Sequence, residues 1–274
     1  MSTLAQAHVI PPLEHTGRVT QLRVFLSELT KLRSVRSTKW SLAAAFLFTI
    51  GVPAIAAAVV SHHWPSASPH DRAGFHPLEV SFVGVQLAQL AIGVLGVLVI
   101  TAEYSTGMIR ASMTAVPRRL PVLWGKAVVF GLTTLALMTP AVLVAFLVSQ
   151  SILSGRHIDI AFTHAGVPRA VFGAALYLTV IGLFGLGLGA IVRNTAGGIA
   201  TFAGLMFVLP PLMNVLPASW NSAASPYLPL QAGEALLALN RGDQLAPWTG
   251  FGVLCGYVAA SLAIAAVLLV RRDV

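Results

Sequence analysis

Six stretches of the chain carry no Asp, Glu, Lys or Arg and are long enough to cross about 30 Å of hydrocarbon, roughly 20 residues each. They are 40–70, 80–102, 127–155, 170–192, 194–233 and 244–270. All consist mostly of Leu, Val, Ala, Ile, Phe and Gly. None alternates with a period of two, so they predict helices rather than barrel strands. Trimmed of their polar ends, the predicted spans are 42–60, 81–101, 127–149, 170–192, 196–216 and 249–270. An even number places both termini on one side.

Before the first span the pattern changes. Val19, Leu22, Phe25, Leu26, Leu29 and Leu32 recur at three- and four-residue spacing, and Arg23, Lys31, Arg33 and Arg36 fall on the polar side. This predicts an amphipathic helix over 18–39 with a basic face, suited to the headgroup layer and turning into the first span at Trp40. Residues 1–17, with Pro11-Pro12 and scattered polar groups, read as a loose tail. The membrane domain is then 40–274.

Composition narrows the class. Apolar residues make up 56% of the 274 and charged residues only 9%, against about 25% charged in soluble domains. That excludes an ordinary soluble enzyme, a basic nucleic-acid binder and a disordered chain. The net charge of +8 is distributed unevenly: thirteen of the 17 Lys and Arg fall on the side of the termini and four, Arg72, Arg156, Arg169 and Arg241, on the other. By the positive-inside rule both termini are expected in the cytoplasm. Small-residue patterns at Ala54, Ala56 and Ala58 follow an apolar run, but the polar region before it is too long for a signal peptide. The single cysteine, Cys255, permits no intramolecular disulfide.

The loop after the second span is the most informative. It reads Ile100-Thr101-Ala102-Glu103-Tyr104-Ser105-Thr106-Gly107-Met108-Ile109-Arg110 and ends near Val116-Pro117-Arg118-Arg119. A carboxylate at the bilayer edge, a short helical run and a basic stop predict a stub projecting from the membrane. Together with the basic elbow around Glu28, Lys31 and Arg36, this resembles the ABC-2 type transporter permeases, the membrane subunits of bacterial ABC exporters. The resemblance spans nearly the whole chain. It implies an all-α membrane protein of six transmembrane helices preceded by an interfacial elbow helix, with a cytoplasmic coupling helix carrying Glu103, Tyr104, Gly107, Ile109 and Arg110 against a separate ATPase subunit. It also implies a second permease copy or paralogue, the bacterial inner membrane as location, and ATP and magnesium held by the partner chain.

Other chemistry is missing from the sequence. The only Gly-Lys pair, Gly125-Lys126, lacks the rest of a phosphate-cradling loop. No trimmed span contains an ionisable residue, whereas ion-driven transporters usually hold one there; the expected energy source is another chain. Six of the eight histidines fall in outward loops without metal-ligand spacing, and no catalytic residue is expected.

Within the spans, Gln86 and Gln89 share a helix face, where they either meet a substrate or hydrogen-bond a neighbouring helix. With Asn214 near the outer end of the fifth span, they are the candidates for lining a pathway. Gly185-x-x-x-Gly189 and Gly252-x-x-x-Gly256 allow close helix approach, and Pro53, Pro140 and Pro210-Pro211 should kink or end their helices. Segment 217–247 predicts a short helix near 231–240, too brief to span, with Trp220, Tyr227 and Trp248 at headgroup depth. The function expected is export of an amphipathic or lipophilic compound such as a drug, antibiotic or lipid-like molecule, with membrane lipid and the ATPase as partners. The alternative is a non-transporting scaffold or sensor that recruits a cytoplasmic protein.

Overall fold

A computed structural model describes residues 21–107, 120–215, 217–239, 242 and 244–271. Helices α1 (Gln21–Ser34) and α2 (Arg36–His63) are separated by a single extended residue, Val35. A short helix, α3 (Pro69–Ala73), is closed at its start by a capping box between Ser68 and Asp71. Then follow α4 (Pro77–Ser105), α5 (Leu120–Ser154), α6 (Val167–Val192), α7 (Thr195–Ala203), a π turn at Gly204–Val208, and α8 (Leu209–Met213). The short α9 (Ala218–Ala224) and α10 (Pro229–Glu234) precede the last long helix, α11 (Pro247–Arg271). No strand occurs among the described residues.

Six helical segments are long and apolar enough to cross a membrane: Arg36–Ser66, Pro77–Ser105, Leu120–Ser154, Val167–Val192, Thr195–Met213 and Pro247–Arg271. All six predicted spans therefore correspond to helices, but several boundaries move. At 35 residues, α5 is about 50 Å long, extending beyond the trimmed interval 127–149 at both ends. Arg36 belongs to the first turn of α2 rather than to the preceding helix, because Val35 breaks the chain one residue before it.

The bundle is organised around α6, the most buried of the long helices. It packs along α4 through glycines. A Cβ on Gly96 would fall 2.0 Å from the Gly182 carbonyl oxygen, and one on Gly185 would fall 2.2 Å from that of Gly93. Gly189 meets Val97 in the same seam. This backbone-to-backbone approach is what small residues achieve in lipid, where helix association depends on close van der Waals packing. Gly185 and Gly189 thus serve packing inside the chain, whereas a Cβ on Gly252 or Gly256 would meet nothing within 4 Å.

At the end of the bundle far from α1, hydroxyl and amide side chains join α4 to α5. Ser81 Oγ lies 2.6 Å from Ser149 Oγ, and Gln150 donates to Ser81 Oγ at 2.9 Å and accepts from the Ile160 amide at 2.9 Å. The predicted helix at 231–240 is shorter and earlier. It is α10, with Pro229 fixing its first turn, and the chain beyond Glu234 continues as turns. Arg169 holds those turns by donating to the carbonyls of Leu236 at 2.6 Å and Ala238 at 2.7 Å. Trp220, Tyr227 and Trp248 are exposed, as interfacial aromatics are.

Candidate functional site

Two polar constellations stand out against the apolar bundle, one at each end. The first lies where α1 crosses the ends of α4 and α5. Glu28 and Lys31, three apart on α1, share one face of that helix. Lys31 Nζ donates to Glu28 Oε1 at 2.7 Å and to Glu103 Oε1 at 2.9 Å. Lys126 Nζ, from α5, donates to Glu28 Oε2 at 2.6 Å and to Glu103 Oε1 at 2.9 Å. Among the described residues, two carboxylates and two ammonium groups thus meet in a node joining three helices. Glu28, Glu103 and Lys126 are buried, and Lys31 keeps about a quarter of its side chain exposed (28%).

Electrostatics explains why the node is closed. Glu103 lies in the last turn of α4, where the helix dipole disfavours a carboxylate. Desolvation disfavours it further. Two lysines at hydrogen-bond distance compensate both penalties, which a single exposed pair would not. Burial alone would lower the Lys31 pKa, but the hydrogen bonds and charges of Glu28 and Glu103 outweigh it and hold it above its usual value.

Glu103, expected in a stub projecting from the membrane, lies in the last turn of α4, buried, with its carboxylate accepting from Lys31 and Lys126. Gly107 has φ of +71°, the left-handed conformation that terminates helices, and its amide donates to the Tyr104 carbonyl at 3.3 Å. Tyr104 is half-buried, with the Arg193 guanidinium 5.3 Å from its ring centroid. Ile109 and Arg110 lie outside the described residues.

On α1, Phe25, Leu29 and Leu32 are half-buried and Leu26 is exposed, while Glu28 and Lys31, the latter expected on the polar side, bond to Lys126 and Glu103 of the bundle. Leu22, Arg23 and Arg33 lie in α1, and Arg36 is exposed at the start of α2.

The second constellation is at the opposite end. Gln86 Nε2 donates to Glu234 Oε1 at 2.7 Å, Gln89 Nε2 donates to Gln86 Oε1 at 2.9 Å, and the Tyr177 hydroxyl donates to Gln89 Oε1. The chain of bonds runs from the exposed Gln86 to the fully buried Gln89 and Tyr177. Of the two uses open to the glutamines, bonding between elements is the one seen: they link α4 to α10 and α6. Burial raises the Glu234 pKa, partly offset by the Gln86 hydrogen bond. Asn214 stands apart from this chain. It is exposed beyond α8 and accepts from Asn221 Nδ2 at 3.1 Å.

Lys126, Glu234 and Tyr177 were not anticipated as members of either site. Glu103 and Lys126 sit just outside the trimmed limits at 101 and 127, so the signal was present as two opposite charges at neighbouring membrane edges. The helices include both, so the expectation of spans without ionisable residues holds only for the trimmed intervals. Among the described residues no cluster of three or more His, Cys, Asp or Glu side chains is arranged to hold a metal ion. A comparison with protein-family models finds none that matches the chain, and a search of curated proteins finds no match.

Proposed function

We propose that this chain is the membrane-spanning permease subunit of an ATP-driven exporter of the ABC-2 type, coupled to a separate ATPase subunit and paired with a second permease copy or paralogue in a bacterial inner membrane. The observation that carries the proposal is the node of Glu28, Lys31, Glu103 and Lys126. It fastens the helix before the first span to the base of the loop in which the family resemblance places the coupling element. A force applied to that loop from the cytoplasm is transmitted through Glu103 to α1 and α5 rather than lost in a flexible linker. On this reading Glu103 is a positioning residue, and Ile109 and Arg110 remain the candidates for contact with the ATPase. Six apolar helices with neutralised charges suit an amphipathic or lipophilic substrate, and the chain itself binds no nucleotide.

The test is purification with a co-expressed ATPase subunit, followed by measurement of ATP hydrolysis and export. Arg110→Ala should reduce stimulated hydrolysis and export roughly tenfold, the size of a charge-assisted contact, while both subunits still assemble. Failure of any ATPase subunit to co-purify, or absence of export by the wild-type complex, would favour a membrane scaffold that recruits a cytoplasmic protein; full activity in Arg110→Ala would remove Arg110 from the coupling contact.

A further inference from the structure

We infer that Glu234 and Gln86 bind the protonated amino group of a lipophilic amine, with its hydrocarbon tail along the exposed face of α4. The inference is independent of the transport reading. Among the described residues Glu234 forms no ion pair, whereas Glu28 and Glu103 at the opposite end each meet two lysines. The Glu234 carboxylate accepts one hydrogen bond, from Gln86 Nε2 to Oε1 at 2.7 Å. Its other oxygen, Oε2, accepts nothing from the described residues and is not sealed from its surroundings.

The hydrogen bonds behind Glu234 have a direction. An ionised carboxylate only accepts, so the Gln86 amide turns its NH2 group to Glu234 and its oxygen to Gln89, and Gln89 in turn accepts from the Tyr177 hydroxyl. Each link presents a donor toward Glu234, which favours negative charge at that end of the chain. The place is not open water. Gln86 lies nine residues after Pro77, the first of the 29 residues of α4, and so about 13 Å along the helix. The whole helix is about 43 Å long and exceeds a hydrocarbon layer of about 30 Å by about 13 Å. Even with all of that excess at this end, Gln86 reaches the hydrocarbon. A carboxylate held there without a counter-charge is costly, and a ligand that brings a cation offsets that cost.

The surroundings select an amphiphile. Val83 and Leu90, three residues before Gln86 and four after it, share its face of α4 and are exposed, as Gln86 is. They give an alkyl chain a surface continuous with the polar pair. A primary ammonium group has three donors, of which Glu234 Oε2 and the second lone pair of Gln86 Oε1 can take two. A neutral alcohol would leave the carboxylate charge unmatched, and an anion would be repelled by it.

The experiment uses the full chain in uncharged detergent at about pH 8, where an alkylamine keeps its proton. Decylamine and decanol, which share a tail, are titrated by calorimetry against a blank of empty micelles. Wild type should bind decylamine saturably and about tenfold more tightly than decanol, the size of one charge-assisted hydrogen bond. Glu234→Gln keeps a side chain able to bond Gln86 but removes the charge, and should bind the two ligands equally. Gln86→Arg sets a cation of the chain's own beside Glu234 and should do the same. If one variant does not fold, the other decides. Phosphatidylethanolamine should not displace decylamine, because its ammonium group is tethered to a phosphate at headgroup depth. Equal binding of amine and alcohol by wild type, a preference that survives in either folded variant, or displacement by phosphatidylethanolamine overturns the assignment.

Discussion

Lys126 Nζ and Glu103 Oε1 are 2.9 Å apart and belong to two different helices, α5 and α4. Neither side chain reaches water to any extent. The charges persist there because Glu28 and Lys31 complete the set, and a buried set of this kind is costly to break but not costly to delete.

Lys126→Met should therefore destabilise the protein by about 3–5 kcal/mol, since it leaves an excess carboxylate buried. The double substitution Lys126→Met with Glu103→Met leaves the Lys31–Glu28 pair intact and neutral, and should recover most of that loss. Thermal unfolding in detergent measures both. A double variant as unstable as the single one would mean that packing, not charge balance, sets the cost.

The Glu234 carboxyl has a raised pKa in the folded state, so its contribution is fully present below the unfolded value near 4.5 and is lost as pH rises through the folded value. Glu234→Gln mimics the protonated form and should remove that slope. Melting temperatures of the two proteins should converge near pH 4, with wild type falling relative to the variant as pH rises above 4.5. Parallel curves across the range would show that Glu234 is solvated.

The glycine seam allows a paired test. Gly96→Ala places a methyl group 2.0 Å from a backbone oxygen, and α4 must move away from α6 at a cost of about 1–3 kcal/mol. Gly252→Ala meets nothing within 4 Å among the described residues and should change monomer stability by less than about 0.5 kcal/mol. If Gly252→Ala instead lowers the oligomeric mass in detergent, that face of α11 is an interface between copies.

Orientation follows from the asymmetry of basic residues. In a Cys255→Ala background, cysteines at the exposed positions Ser66 and Ser222 should react with an impermeant thiol reagent on intact cells. One at Ser105, exposed at the other end, should react only after permeabilisation. The reverse pattern would invert the topology.

The long helices were legible because lipid demands long uncharged runs, and a run such as 170–192 admits no other reading in this chain. The sites were less legible because they depend on which helices touch. Glu28 and Lys126 are 98 residues apart, and no local spacing relates them. Gln86 could be singled out as polar within an apolar span, but its partner Glu234 lies 148 residues away in the short helix predicted near 231–240, and no local spacing relates the two. Periodicity places Lys31 on the polar side of α1 and cannot show that opposite charges on other helices bond it and Glu28.

The π turn at Gly204–Val208 divides the fifth span into unequal mechanical parts. On one side, Phe202 and Met206 are fully buried and fixed in the core; on the other, Val208, Leu212 and Val215 are largely exposed. Pro210 and Pro211 have no amide hydrogen, so the carbonyls of Met206 and Phe207 receive no helical donor from them. The outer portion of this span is therefore held by two fewer backbone hydrogen bonds than a regular helix of the same length.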